Sequence, residues 1–591
     1  MKNLAVTLEL FNGALAHKQG NLVIDYQNGL IIEGGVASYA KEIKAFYERE
    51  RLNGNDLNKT FHKSWEKVST STRYELLIQQ LKHYLSTYGS DFEDTIYIPD
   101  EVLNIEGLNL KFKVIKSFTR EQLTEKCVTF LKSGIALKQE TMETLVDLLM
   151  EGLLYNLTDL SEVKNKEAKI YISDKYNIYP TDAVEILRYV VYKSTDKTLL
   201  IKNDDLINGI KNSSFNPKDL FLGKEEVLAE IFNRFKPLFL AYKAKTGMSS
   251  IINRISKLSK KYHKPVPVNV INKLSSIKLD ETNKHWLDNA TPYALLKAIQ
   301  FLKTRKGGQD TFLYNIRSGK VWAEKGVASD SKVIKKNYKF LKKYLKERLS
   351  LDGKKFFIED GISYGLPTSE KMYVGNIPIN TKFTFEKLVV GIYWEDSWGA
   401  RDLDLSASSV DGKIGWNSDY ANNNGSLLYS GDMTSAPNGA VEYIHAKNGL
   451  RTPQLVLNNV FSGSNTAGYK ILVGKGDDIS NKYMMNPENL ILDEKVNATK
   501  KQMMLGIILP DSDNKQSFYL MNSGNGNVNV SGYDEKSDNA LNALYQQATM
   551  GLTLNKLIKM LGGEFVEAPE DADFDLSINN LERDSFIRIF E

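Results

Sequence analysis

Cysteine and histidine are scarce in this sequence, and their scarcity excludes several kinds of site. Cys127 is the single cysteine among 591 residues, so neither an intramolecular disulfide nor a cysteine-based metal centre can form. The six histidines are scattered and show neither H-x-x-x-H nor H-E-x-x-H spacing, which argues against zinc. A chain without disulfides fits a reducing compartment, and we expect the protein to be cytoplasmic.

Long apolar runs are also missing. No run approaches the ~18 apolar residues that indicate a transmembrane helix. Near the N-terminus, Glu9, Asn12 and His17 interrupt the apolar residues, and this is not the layout of a signal peptide. The net charge of +4 is too small to indicate a nucleic-acid or membrane partner by itself.

The common catalytic motifs are absent as well. The sequence contains no G-x-x-x-x-G-K-[ST] phosphate loop, no G-x-G-x-x-G after a strand and no G-x-S-x-G nucleophile elbow. Isolated histidines such as His62 and His83 are more often packed or surface residues than catalytic bases. Cys127 lies on a predicted helix near Leu123 and Phe130, where we expect it to be buried. We therefore expect no catalytic residues, no enzymatic activity and no bound organic cofactor.

The length predicts a multidomain protein, because one core rarely serves more than about 250–300 residues. The patterns along the chain predict the α+β class. Residues 1–112 read as a mixed α/β region. Short strands are predicted at 3–11 and 94–100, and two more in 21–35 around an Asn-Gly turn. Apolar residues at helical spacing predict helices over 38–52 and 70–89.

Residues 113–350 read as mainly helical, with a small hairpin near 310–324. Two segments of this region, 252–265 and 332–348, are rich in Lys and Arg and also carry Tyr or Phe. That mixture suits phosphate contacts and base stacking, so nucleic-acid binding through these helices is an open alternative. The competing interpretation of 332–348 is an ordinary solvated helix. Its apolar stripe would then face the core: Val333, Ile334, Tyr338, Leu341, Tyr344 and Leu345.

Beyond residue 350 the composition changes to short apolar runs separated by Gly, Asn, Asp or Pro. This rhythm predicts an antiparallel β-sandwich over residues 380–535. Residues 536–591 return to helix and include the acidic stretch 564–575, which we expect to be a mobile tail.

Four carboxylates near the start of the predicted sandwich are the candidate metal ligands. Residues i and i+2 of a strand point to the same side, so Asp402 and Asp404 of D-L-D-L-S project together. Two neighbouring carboxylates repel each other unless a cation bridges them. Asp432 follows in S-G-D, and Glu442 comes ten residues later. Such oxygen ligands suit calcium, although turn-forming aspartates in a β protein are the simpler interpretation.

Residues from about 380 to 535 resemble the core of the tellurium-resistance, or TerD-like, family. The motifs that carry the resemblance are V-V-G-I-Y-W, D-L-D-L-S-A, G-K-I and S-G-D, in that order. That resemblance implies a β-sandwich that binds calcium through acidic loops. By position, the resemblance implies that Asp402 and Asp404 correspond to the family's first acidic pair, and that Gly431 and Asp432 correspond to the family's G-D step. Where many members continue with a dense acidic run, this chain has M-T-S-A-P-N-G-A-V-E. Only Glu442 remains there, so we expect weaker binding.

The resemblance implies a non-enzymatic interaction or sensing module in a stress response of the tellurite, bacteriocin or phage-resistance type. A protein partner, chosen by the helical region, is expected on the same ground. The alternative is a nucleic-acid-binding or phage-associated structural protein that uses the basic helices.

Overall fold

The computed structural model describes residues 2–18, 20–26, 28–47, 52–88, 112–262, 274, 277–288, 290–315, 321–325, 331–409, 412–476, 484–525 and 535–590. The strand predicted over 94–100 lies outside the described residues. The architecture is α+β, with helices and antiparallel sheets, and the strands are concentrated in the C-terminal half, as the sequence predicts. Within the described part of the chain, no helix is both long enough and apolar enough to cross a membrane.

The N-terminal region combines a small mixed sheet with helices. Its elements are α1 (Lys2–Phe11), β1 (Gly13–Leu15), β2 (Val23–Asp25), β3 (Leu30–Ile32), α2 (Ala40–Tyr47), α3 (Trp65–Thr70), α4 (Arg73–Tyr88) and β4 (Lys113–Phe118). The strand order is β1-β4-β3-β2. β4 runs parallel to both neighbours, and β2 and β3 form an antiparallel hairpin. Gly29, with a φ of 60°, supplies the left-handed residue that this hairpin turn needs.

The strand predicted over 3–11 is wrong, because these residues form helix α1. The apparent alternation of apolar residues is misleading because α1 is buried on more than one side, with Val6, Leu8 and Leu10 all in the interior. A short helix buried in this way does not show a clean 3.6-residue stripe, and periodicity alone cannot separate it from a strand.

The middle of the chain is mainly helical. Its elements are α5 (Arg120–Ser133), α6 (Gln139–Asp147), α7 (Lys166–Tyr176), α8 (Ala183–Thr195), α9 (Asp204–Asn212), α10 (Lys218–Phe221), α11 (Glu225–Tyr242), α12 (Met248–Leu258), α13 (His285–Asp288), α14 (Pro292–Lys306), β5 (Thr311–Asn315), β6 (Val321–Lys325) and α15 (Ser331–Arg348). Local sequence signals fix both ends of α5. Thr119 and Gln122 form a capping box where the helix begins, and Gly134, in the left-handed conformation, ends it. Cys127 is buried inside α5, and burial raises the pKa of its thiol to about 12.

Two antiparallel sheets follow, which we call the sandwich. Their strands, with the short strands that lead into them, are β7 (Lys355–Phe357), β8 (Ile362–Ser363), β9 (Tyr373–Val374), β10 (Ile377–Pro378), β11 (Lys382–Phe385), β12 (Leu388–Trp394), β13 (Ala400–Ser409), β14 (Gly412–Gly415), β15 (Leu427–Tyr429), β16 (Ala440–Ala446), β17 (Gln454–Gly463), β18 (Gly468–Lys475), β19 (Leu490–Asn497), β20 (Gln502–Pro510) and β21 (Gln516–Asn525). One sheet has the order β14-β13-β17-β20-β21-β11-β8 and the other β15-β16-β12-β18-β19.

The N-terminal residues 52–70 pack against the five-stranded sheet. Tyr443 Oη of β16 donates to the Leu57 carbonyl (2.6 Å), and Trp65 Nε1 donates to the Met484 carbonyl (2.9 Å). Every residue of β12 is buried, as expected for a strand that is covered on both faces. Much of the N-terminal region shares one continuous core with the sandwich and the C-terminal segment. The helices α8 to α12 enclose a separate core, and the small N-terminal sheet has another.

The C-terminal segment comprises α16 (Glu535–Met550), α17 (Leu554–Leu561), β22 (Glu564–Phe565), β23 (Phe574–Asp575) and α18 (Arg583–Ile589). The expectation of a mobile acidic tail over 564–575 is wrong. β22 and β23 pair in parallel on either side of β7, and the rings of Phe356 and Phe574 stack at 5.0 Å. The acidic residues face solvent while the interspersed phenylalanines contact the core, a pattern that the net charge of the segment conceals.

His445 of β16 makes the stability of this interior depend on pH. The imidazole is fully buried, its ring centre is 4.9 Å from that of Trp65, and neither ring nitrogen has a hydrogen-bond partner among the described residues. Burial, together with the charges of Lys447 and Lys387, lowers its pKa to about 3. The unfolded chain therefore binds the proton more readily than the folded chain. The contribution of neutral His445 to the free energy of unfolding is complete above pH 6.5 and is lost as the pH falls toward 3.

We expect the wild type to lose about 2 kcal/mol of unfolding free energy through His445 between pH 7.5 and pH 5. His445→Leu removes this contribution, so its free energy of unfolding falls less over the same interval. Urea unfolding at the two pH values measures the difference, with the exposed His17→Gln as the control. Equal pH dependence in the wild type and in His445→Leu would contradict the assignment.

Candidate metal centre

Strand β13 carries the first two carboxylates of the site. Asp402 pairs in register with Ser462 of β17, and Asp404 pairs with Asn459. Both aspartates are almost fully buried, at 3% and 2% exposure. Leu403 and Leu405, which point to the other face, are buried as well, so each face of the strand contacts protein here.

Asp432 brings the third carboxylate from the loop between β15 and β16. The chain passes close to the N-terminal region here: a Cβ on Gly431 would lie 2.9 Å from the Phe61 side chain. The φ of Gly431 is 96°, which also favours glycine. One carboxylate oxygen from each of Asp402, Asp404 and Asp432 lies within 4.8 Å of the other two. The structure thus brings together three of the four acidic residues that the sequence singles out.

The electrostatics of this cluster oppose three ionised carboxylates. Burial, with the negative charges of Asp402 and Asp432, raises the pKa of Asp404 to about 9. Burial also raises the pKa of Asp432 to about 6, and the hydrogen bond from Tyr84 limits the rise. Asp404 Oδ2 and Asp432 Oδ1 are buried and have no hydrogen-bond partner among the described residues. Positive charge at this point would be strongly favourable.

Glu442 lies beside the cluster of three aspartates, and both of its carboxylate oxygens accept backbone hydrogen bonds. Its Oε2 accepts a hydrogen bond from the Leu405 backbone N–H (2.8 Å), and its Oε1 accepts from the Met433 backbone N–H (2.9 Å). The carboxyl is fully buried, and burial together with Asp432 and Asp404 raises its pKa. Because Leu405 and Glu442 belong to different sheets, this side chain connects the two layers and fixes the Asp432 loop.

Three residues of helix α4 contact Asp432 or the loop that carries it, and sequence reasoning missed these contacts. Tyr84 donates from its hydroxyl to Asp432 Oδ2, Gln80 bonds to the Asp432 backbone, and His83 Nε2 lies 3.1 Å from Thr434 Oγ1. The sequence predicts the helix itself and treats His83 as a packed or surface residue. It holds no signal for a contact across roughly 350 positions.

The donor set is entirely oxygen. Carboxylate oxygens, with hydroxyl and carbonyl oxygens nearby, are the ligands of hard cations such as calcium, magnesium and manganese. The hydroxyls of Ser406 and Tyr429 are buried and lack partners among the described residues, so further oxygen donors lie in this region. The residues present therefore fit a hard divalent ion, which would neutralise the carboxylates and join β13 to the Asp432 loop.

The two basic segments lie elsewhere. In α15 the apolar residues Ile334, Leu341, Tyr344 and Leu345 are buried and its lysines are exposed, as in an ordinary surface helix. Lys343 approaches Glu281 and Glu347, which neutralises part of this face. The described part of 252–265 belongs to α12 and a following turn, and 263–265 lie outside the described residues. Nucleic-acid binding through these helices stays a prediction.

No protein-family model and no curated protein matches this chain. Among solved structures, the chain is similar to one titled "Crystal structure of unknown function protein SAV2460", at 12% sequence identity and a TM-score of 0.19. The match covers 28% of this chain and 98% of that chain. A TM-score this low carries no argument about the fold or the function.

Proposed function

We propose that the sandwich binds a hard divalent cation, calcium in the first instance, through Asp402, Asp404 and Asp432. The observation that supports this most directly is that three buried carboxylates lie close together. Two of their oxygens, Asp404 Oδ2 and Asp432 Oδ1, lack hydrogen-bond partners among the described residues. Protein interiors seldom hold such groups without a neutralising partner.

The proposed role is a non-enzymatic sensing or interaction module. The resemblance of 380–535 to the TerD-like family supports a cytoplasmic stress-response protein of the tellurite, bacteriocin or phage-resistance type. A bound calcium ion would join the Asp432 loop to β13, and the N-terminal region packs beside that loop. A change at the cation site can therefore reach other parts of the chain, which is what a sensing module needs.

Calcium titration of the full chain tests the proposal. In isothermal titration calorimetry of chelator-treated protein, we expect one calcium ion per chain, with a dissociation constant on the order of 10⁻⁵–10⁻³ M, since few carboxylates are present. Calcium should also raise the melting temperature, and magnesium provides the comparison for ion size. A protein that gives neither binding heat nor a melting shift with calcium overturns the proposal.

A further inference from the structure

Helix α4 covers the candidate cation site from the N-terminal region. Gln80, which is 4% exposed, bonds to the Asp432 main chain in both directions: its Nε2 donates to the carbonyl (3.3 Å), and its Oε1 accepts from the N–H (3.4 Å). The Tyr420 hydroxyl donates to the same Gln80 oxygen. One helical side chain thus fixes the backbone that carries the third carboxylate.

Tyr84 acts on the carboxylate itself. Its hydroxyl donates to Asp432 Oδ2, while Asp432 Oδ1 has no hydrogen-bond partner among the described residues. Helix α4 thus holds Oδ2 of Asp432, and Oδ1 is the oxygen without a partner among the described residues that a cation would bind. A hydrogen bond of this kind outside the ligand shell fixes the orientation of a metal ligand and raises its affinity for the ion.

Further contacts join α4 to two loops of the sandwich. Arg73 at its start pairs with Asp419 of the loop between β14 and β15 (2.6 Å), and His83 approaches Thr434 of the loop that presents Asp432. Leu76, on the inward side of the helix, is buried. The outward side carries Tyr74, Leu77 and Leu81, which are 74%, 42% and 53% exposed. Gln80, His83 and Tyr84 therefore attach the C-terminal half of α4 to the loop that presents Asp432.

We propose that cation binding and the docking of α4 are coupled, so that the helix reports whether the site is loaded. The inference rests on the proposed cation binding and adds its structural consequence. A cation on the cluster neutralises the carboxylates and fixes Asp432 in the orientation that Tyr84 recognises. Without it, the buried oxygens Asp404 Oδ2 and Asp432 Oδ1 have no partner among the described residues, and we expect that loop, and the helix with it, to loosen. Coupling of this kind is reciprocal: the factor by which the ion favours docking of the helix equals the factor by which docking raises the affinity for the ion. Weakening the helix contact therefore lowers the affinity for the ion.

Tyr84→Phe is the decisive variant, because it keeps the ring and removes only the hydroxyl. Tyr74→Phe is the matched control, since Tyr74 lies on the exposed face of the same helix. We measure calcium affinity by calorimetry and amide hydrogen exchange over 73–84, both on the full chain. In the wild type, calcium should slow exchange in α4 at least ten-fold. In Tyr84→Phe, affinity should fall about ten-fold and the protection of α4 by calcium should shrink. Tyr74→Phe should match the wild type in both measurements.

The outcomes separate this inference from the proposal beneath it. If the wild type and Tyr84→Phe bind calcium equally, the coupling is wrong while calcium binding stands. If Tyr84→Phe loses affinity but calcium leaves the exchange of α4 unchanged in the wild type, Tyr84 is a local positioning residue and the coupling is again wrong. If the wild type binds no calcium, the proposed function fails and the coupling fails with it.

Discussion

Replacing Asp402 and Asp404 together by asparagine is expected to raise the melting temperature of the calcium-free protein and to abolish the further rise that calcium gives the wild type. The first effect arises because both side chains are buried, at 3% and 2% exposure, within 4.8 Å of Asp432. Without a cation, folding must keep these groups charged in the interior or bring protons to them, and each alternative is unfavourable. Asparagine keeps the shape without the charge, so we expect a gain of roughly 1–3 kcal/mol.

The second effect has the opposite sign. Calcium at about one hundred times its dissociation constant stabilises a folded protein by about 2.7 kcal/mol, provided that the unfolded chain does not bind it. The double variant has one carboxylate of the three and loses this gain. Glu488→Gln, an exposed acidic position of the same region, is the matched control and should respond to calcium like the wild type. A purely structural cluster predicts a different result, in which the double variant is less stable than the wild type with and without calcium.

Much of the sandwich can be predicted because its signals are local. The run L-V-V-G-I-Y-W is β12, and the D-L-D-L-S step is part of β13, so the rule that residues i and i+2 share a face already places Asp402 beside Asp404. Asp432 is singled out as a nearby carboxylate in S-G-D, and no spacing rule places it beside the pair. Its approach to the pair depends on how the loop after β15 folds back, which periodicity cannot show.

The remainder of the site depends on contacts between distant parts of the chain. The sequence predicts helix α4 within about three residues at its start, yet not that Gln80 and Tyr84 meet Asp432 across about 350 positions. The misassigned segments fail for a related reason. Both α1 and the stretch 564–575 are shaped by what packs against them, and that packing overrides the local pattern and composition.

The C-terminal segment shows how far this packing reaches. In α18, Phe586 is fully buried and its ring lies edge-on to Tyr364 and Tyr373, at centroid distances of 6.2 and 5.8 Å. Arg583, only 4% exposed, pairs with Glu9 of α1 (2.8 Å) and with buried Glu370 (3.2 Å). One short helix thus joins the N-terminal helix to the strands that lead into the sandwich. Its removal would leave buried Glu370 with the more distant Lys138 ammonium (3.8 Å) in place of Arg583, an unfavourable change in an apolar interior.

Deleting residues 564–591 is therefore expected to abolish cooperative folding of the shared core. Each large apolar side chain that is lost contributes about 1.5–3 kcal/mol, and several such losses exceed the ~5–15 kcal/mol by which a domain is usually stable. Phe586→Ala gives a graded test in a chain that still folds, with an expected loss of about 3–5 kcal/mol in urea unfolding. The control is Glu570→Ala, an exposed position in the same segment, which should change stability by less than about 0.5 kcal/mol. A truncated protein that unfolds cooperatively at the urea midpoint of the full chain would show that the segment is an appendage, because a structural part of the core cannot be removed without that loss.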